Sequence, residues 1–144
     1  MSRVEHIIFP EYELNWFYGF GHVDLPMIMN SVIELRNSPL SCPHFNTIVD
    51  FFQATMDLVP DHLTDFQEFF AAYEATQGKC RMAIASGNDG VIKNAAVIHM
   101  LQDYKNIHVD IFTTLDDALA WVGVPETDRP GLRKLASRRL KQNG

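Results

Sequence analysis

The sequence predicts an α/β domain, and three observations carry that expectation. Apolar runs at 47–52, 80–85 and 107–112 are rich in β-branched and aromatic residues, the composition of buried strands. Each is followed by apolar residues at helical spacing, which is how βα repetition looks along a chain. Right-handed crossovers would make the three strands parallel neighbours in one sheet. The length of 144 residues suits one domain and buries roughly two-thirds of the unfolded surface.

Taken in order, His6–Phe9 before Pro10-Glu11 reads as a short strand and a turn. Tyr12, Leu14, Trp16, Tyr18 and Phe20 then alternate with Glu13, Asn15, Phe17, Gly19 and Gly21. A period of two predicts a second strand, hairpin-paired with the first. Gly19 and Gly21 allow a bend or the close approach of a helix. Asp24 is placed to cap a helix with Pro26 in its first turn. Leu25, Ile28, Val32 and Leu35 form its stripe, and Ser38 before Pro39 stops it near Asn37.

The central segment Phe45–Phe70 holds a strand at 47–52, a polar connection Gln53–Asp61 and a helix. Leu63, Phe66, Phe70 and Tyr73 stripe that helix, with Gly78 as its expected terminus. Cys80–Ala85 is the next strand. The turn Ser86-Gly87-Asn88-Asp89-Gly90 leads into a helix striped by Val91, Ala95, Ile98 and Leu101. Ile107–Phe112 is the last strand. Thr114 with Asp117 makes a capping box, Leu115, Leu119 and Val122 line one face, and Gly123 closes the turn. A final helix restarts at Thr127–Pro130 with Leu132, Leu135, Ala136 and Leu140.

At 47% hydrophobic and 21% charged, the composition is that of a soluble globular protein. No apolar run approaches the roughly 20 residues that span a bilayer. The opening MSRVEHIIFPE has no long apolar core before its first acids, so secretion is not expected. Cys42 and Cys80 have no Cys or His at zinc spacing and read as reduced thiols in a cytoplasmic protein. The formal charge of −6 argues against nucleic acid as a partner. All 18 acids lie at or before Asp128 with six Lys/Arg, a formal −12, whereas 129–144 holds the other six and no acid, a formal +6. A basic helical extension (125–144) therefore follows an acidic α/β body (1–124) of the same domain.

The run Phe112–Gly123, FTTLDDALAWVG, resembles the closing strand–helix signature of the SpoIIAA-like proteins. These are relatives of the STAS domain, the anti-sigma-factor-antagonist fold, and are also termed STAS/SEC14-like. The strand ending in Asp50, the Asp57…Leu63-Thr64 connection and the strand before Ser86 fit the same layout, so the pattern covers residues 5–124. The resemblance implies a mixed sheet of four or five strands with its helices packed around it. The expected fold is thus a SpoIIAA-like α/β domain with an N-terminal hairpin and three parallel βα units, and the C-terminal basic helix lies outside the resemblance. In the partner-switching antagonists, the loop after the central strand carries Asp, then a phosphorylatable Ser, then Gly. Here Met56-Asp57-Leu58-Val59-Pro60 puts leucine where that hydroxyl should be, and leucine accepts no phosphate. Thr55 and Thr64 are the nearby hydroxyls.

The candidate ligand- or partner-binding residues are Thr55, Asp57, Leu58, Thr64, Phe66, Phe69, Ser86 and Asn88. Asp57 and Asp61 flank a helix N-terminus, where capping explains them as well as ligand contact does. Ser86–Gly90 forms a small backbone nest or a plain βα turn. Asp50 and Asp110 lie within apolar strands, and a cross-strand pair with Arg81 is the expected partner. Phe69 falls off the Phe66–Phe70 stripe, which widens the apolar arc of its helix. That arc serves either tight packing with a homodimer face or an apolar pocket. The tail either lies on anionic lipid or docks on the acidic body.

No histidine pair has metal spacing, no nucleophile motif is present, and no cofactor is expected. The expected function is a non-enzymatic regulatory or interaction domain that binds a protein partner through the loop and helix after the central strand. The alternative is a carrier or sensor of a small lipophilic ligand held between the 62–77 helix and the sheet. A hydrolase using Asp57 or Ser86 is the third reading.

Overall fold

The computed structural model describes residues 2–57, 60–87 and 104–143. Strand β1 (Arg3–Phe9) leads through a 3-10 turn, Pro10–Tyr12, into β2 (Leu14–Asp24). Glu13 closes the turn at φ 50°, and its amide donates to the Pro10 carbonyl. Helix α1 (Leu25–Arg36), β3 (Asn46–Asp57), α2 (Pro60–Ala75), β4 (Cys80–Ala85) and β5 (Ile107–Phe112) follow. The chain continues with α3 (Leu115–Trp121), a 3-10 turn at Glu126–Asp128 and α4 (Arg129–Asn143). Leu58, Asn88 and the helix expected at 91–101 lie outside the described residues.

The five strands form one mixed sheet in the order β1-β2-β3-β4-β5. β1 pairs antiparallel with β2, as the hairpin expectation required. The expected strands 47–52, 80–85 and 107–112 fall in β3, β4 and β5, which are parallel neighbours. One expectation is corrected: β2 also pairs parallel with β3, from Leu14↔Asn46 to Asp24↔Asp57. The parallel set therefore has four strands, and β2–α1–β3 is itself a crossover. Because β2 to β5 follow chain order across the sheet, right-handed crossovers leave from one face. Helices α1 and α2 cover that face, with Ile8, Phe17, Leu25, Leu35, Phe66 and Phe70 buried in its core.

The opposite face is covered by α3 and α4. Phe9, Trp16, Ile48, Ala83, Leu119 and Leu132 fill that second core. The small buried Ala83, Ala85 and Ala118 let α3 approach β4 closely. The basic tail thus docks on its own body through Leu132, Leu135 and Ala136. Arg129 Nε donates to the Val124 carbonyl at 3.0 Å, and its Nη1 lies 3.4 Å from Asp116. The Arg139 guanidinium sits 5.2 Å from the Phe9 ring centroid.

Local signals act as their chemistry dictates. Asp24 Oδ1 accepts from the Met27 amide at 3.0 Å, and Thr114 Oγ1 from the Asp117 amide at 3.2 Å, each satisfying a first-turn donor. Gly123, at φ +94°, donates to Ala120, while Val124 donates to Leu119. That pair of bonds is a Schellman closure, which needs the left-handed residue glycine supplies. Helix α2 ends at Ala75, short of the expected Gly78. Thr76 and Gln77 amides turn back to Tyr73 and Glu74, and the Gly78 amide bonds to Pro43 instead.

Candidate functional site

The expected loop at 53–61 is mostly strand. β3 continues to Asp57 because β2 runs equally far and, beyond the register shift at Tyr18/Phe20, supplies a ladder partner for each residue from Gln53 to Asp57. Gln53 and Thr55 point outward while Ala54 is buried and Met56 half-buried, the alternation of a strand with one covered face. Polar composition had disguised that alternation. Thr55, exposed, shares a 2.8 Å hydrogen bond with His22 Nδ1 across the β2–β3 register.

The other candidates separate. Asp57 ends β3, and Thr64 is exposed on α2. Phe66 is core, at 6% exposure. Phe69 is half-buried and packs against the same core. Ser86, at the end of β4, is fully buried at 0%, and its amide donates to the Phe112 carbonyl at 3.1 Å. Phe66 and Phe69 come together; Thr55, Thr64 and Ser86 do not join them in one site.

What Phe66 and Phe69 share is an apolar cavity of about 80 Å³ between α1, α2 and the sheet. Its volume is several times what one water requires. The sheet contributes Phe17, Val49, Phe51 and Ile84, and α1 contributes Leu25 and Val32. Tyr73 is the lining residue whose side chain carries a polar group. Burial pushes its pKa up to about 12, Cys80 adds to the rise and Arg36 opposes it. The Arg36 guanidinium stacks 4.4 Å from the Tyr73 ring centroid and donates to Gln77 Oε1 at 3.2 Å. The surroundings are apolar and aromatic, and Arg36 does not line the cavity but stacks on the Tyr73 ring. Such a cavity takes apolar molecules and offers no nucleophile or acid–base pair.

The wide apolar arc of α2 pointed to this cavity. The contribution of β2 and α1 was not visible in sequence, because it depends on which strands lie side by side. The large exposed apolar side chains among the described residues are Phe20 on β2, Ile33 on α1 and Leu40 in the connection that follows it.

The Arg81–Asp50 and Arg81–Asp110 pairs do not form. Arg81 lies at the start of β4, where its register partner is His108, whereas Asp50 pairs with Ala85 at the far end. The Arg81 guanidinium donates to the Trp121 carbonyl at 2.7 Å and stacks on that indole. Asp110 is exposed and accepts from the Ile111 amide.

Asp50, at 9% exposure, accepts from the Phe52 amide at 3.5 Å. Burial holds its carboxyl above the ordinary range, while Phe52 and Trp16 pull the other way. The folded protein therefore binds this proton more tightly than the unfolded chain does. Stability falls as pH rises from the ordinary carboxylate value through the raised one. In thermal melts from acidic to neutral pH, Asp50→Asn is expected to gain on the wild type as pH rises. A wild type that gains on the variant instead would contradict the sign.

The fold and cavity define a mixed-sheet α/β domain with an apolar chamber beneath its first two helices. No protein-family model matches the chain, and no curated protein is significantly similar to it. Among the described residues, no helix is long and apolar enough to cross a membrane, and no three His, Cys, Asp or Glu side chains gather to hold a metal.

Proposed function

We propose that this protein is a non-enzymatic, cytoplasmic domain of the SpoIIAA-like, STAS/SEC14-like kind that carries or senses a small lipophilic molecule. The observation that carries this reading is the partly open cavity of about 80 Å³ between α1, α2 and the sheet. A void of that size would ordinarily be closed by larger side chains, since empty apolar space forfeits packing energy. The ligand is a compact apolar molecule, entering beside the half-buried Ile28, Met56 and Phe69.

Toluene and 1-hexanol are suitable probes, followed by methyl NMR of the intact chain. Saturable shifts at Val49, Val32 and Ile84 are expected, together with their loss in Val49→Phe, which places a ring in the void. Equal shifts in wild type and Val49→Phe would refute the cavity as the site.

The partner-docking reading is supported by a different observation, the exposure of Thr55 and Thr64 beside the end of β3 and on α2. It places the partner, a second copy included, on the outer surface of α2. Sedimentation that stays unchanged in Thr64→Arg, at every protein concentration, would count against a dimer there.

A further inference from the structure

A second site lies on the other face of the sheet, and its chemistry is the opposite of the apolar cavity. The sheet register aligns Glu5, Tyr18 and Asp50 in one row across β1, β2 and β3. The next strand contributes Ala85 to that row, a side chain too small to fill the space above its neighbours. The result is a cleft of about 340 Å³, floored by Trp16, Tyr18, Asp50 and Phe52 and walled by Arg3 and, from α4, Arg133 and Ser137. Its volume is that of a small-molecule site.

Two features of the lining are unusual for a void left by packing. Trp16 is 1% exposed, yet its Nε1 has no hydrogen-bond partner. The indole comes near enough to Asp50 to favour the carboxylate, but the pair falls outside hydrogen-bond geometry. A buried donor left unmade costs about 1–3 kcal/mol, so an acceptor in the cleft would recover that loss. Beside it, Arg3 Nε lies 3.3 Å from Glu5 Oε1 as an ion pair. Even so, Arg3 Nε and Glu5 Oε2 are both buried without a hydrogen bond. Burial first, then Asp50 and Glu5, push the Tyr18 hydroxyl up against the opposing Arg3, so it remains a donor at neutral pH.

The lining thus presents a donor next to an acceptor, Trp16 beside Asp50, and its Arg3 is paired with Glu5, which does not itself line the cleft. One chemical group answers both members of such a couple, a hydroxyl, which accepts from one and donates to the other. Charge points the same way. Arg3 is paired with Glu5, and Arg133 and Asp50 bring one charge of each sign to the lining, so a net charge on the ligand would meet no large compensating excess. The aromatic Phe52 and Tyr18 offer an apolar floor for the C–H side of such a molecule. We propose that this cleft binds a neutral, multiply hydroxylated small molecule of monosaccharide size, held by Trp16, Asp50, Arg3 and Arg133.

The test is titration of the ¹⁵N-labelled full chain with D-glucose and with myo-inositol, read at the two indole N–H signals. Trp121→Phe, which lies outside the cleft, assigns the Trp16 signal. The expected result is a saturable shift of Trp16 with at least one of these probes while Trp121 stays fixed. Affinity should fall about tenfold or more in Asp50→Ala, the size of a lost hydrogen bond to a charged group. Arg133→Ala, a change on an exposed helix position, should weaken binding without altering the melting temperature, which covers the case where the Asp50 variant fails to fold. An unmoved Trp16 signal with both polyols would overturn the proposal. So would a response confined to glucose 6-phosphate or glucosamine, or an affinity untouched by Arg133→Ala.

Discussion

Replacing Gly19 by alanine is expected to lower stability by about 1–3 kcal/mol, the range for overpacking a filled site. An added Cβ would sit 2.6 Å from two ring atoms of Phe51 and 3.3 Å from the Ala54 Cβ. Phe51 is 2% exposed, so its ring cannot swing into solvent. The empty space adjoining it is the apolar cavity, whose wall it forms. Movement that way relieves the clash and fills the chamber. The variant should therefore melt roughly 3–10 °C lower and lose toluene binding together. A Gly19→Ala protein with wild-type stability and unchanged binding would show that Phe51 is not held as described.

Phe70→Ala is expected to cost about 3–5 kcal/mol, the usual loss for deleting a buried aromatic ring. Phe70 is 5% exposed. Its ring centroid lies 5.7 Å from Phe66, 5.9 Å from Tyr73 and 4.8 Å from Tyr104, so three aromatic contacts disappear at once. A domain of this size has about 5–15 kcal/mol of stability in all, so the loss is a large share of it. Urea unfolding should show a much lower midpoint with an unchanged slope. Phe70→Leu, which keeps most of the volume, should lose far less. Equal losses in the two variants would mean the aromatic stack adds nothing beyond filling space.

These two sites differ in how far sequence led to them. Phe70 stood on a helical stripe with Phe66 and Tyr73, and the stripe is buried. Gly19 stands in an alternating strand, where a bend or the close approach of a helix is the expectation. What approaches Gly19 is Phe51 on the adjacent strand, and Gly21 takes a positive φ of 76° within β2. The register shift between Tyr18 and Phe20 shares that stretch, and no local pattern announced it. Phe66 and Phe69 are both candidates on one helix in the sequence, and their shared place in a cavity wall required β2 and α1 to close the other side. Asp50 was recognised as a buried carboxylate in need of a partner. The partner expected for it, Arg81, is separated from it along the strand.

The sequence by itself determined the kind and order of most of the described elements. Periods of two and 3.6, the Asp24 and Thr114 caps, Gly123 and the short strands at 80–85 and 107–112 are local chemistry, acting between residues a few positions apart. Only the tertiary structure decided that β2 joins the parallel set, that β3 runs on to Asp57, and that α4 lies across the second face. It also decided both sites, the apolar chamber and the row Glu5–Tyr18–Asp50. Those depend on register between residues far apart in the chain, where the pairing of whole strands and the burial of whole faces outweigh the preference of any one segment.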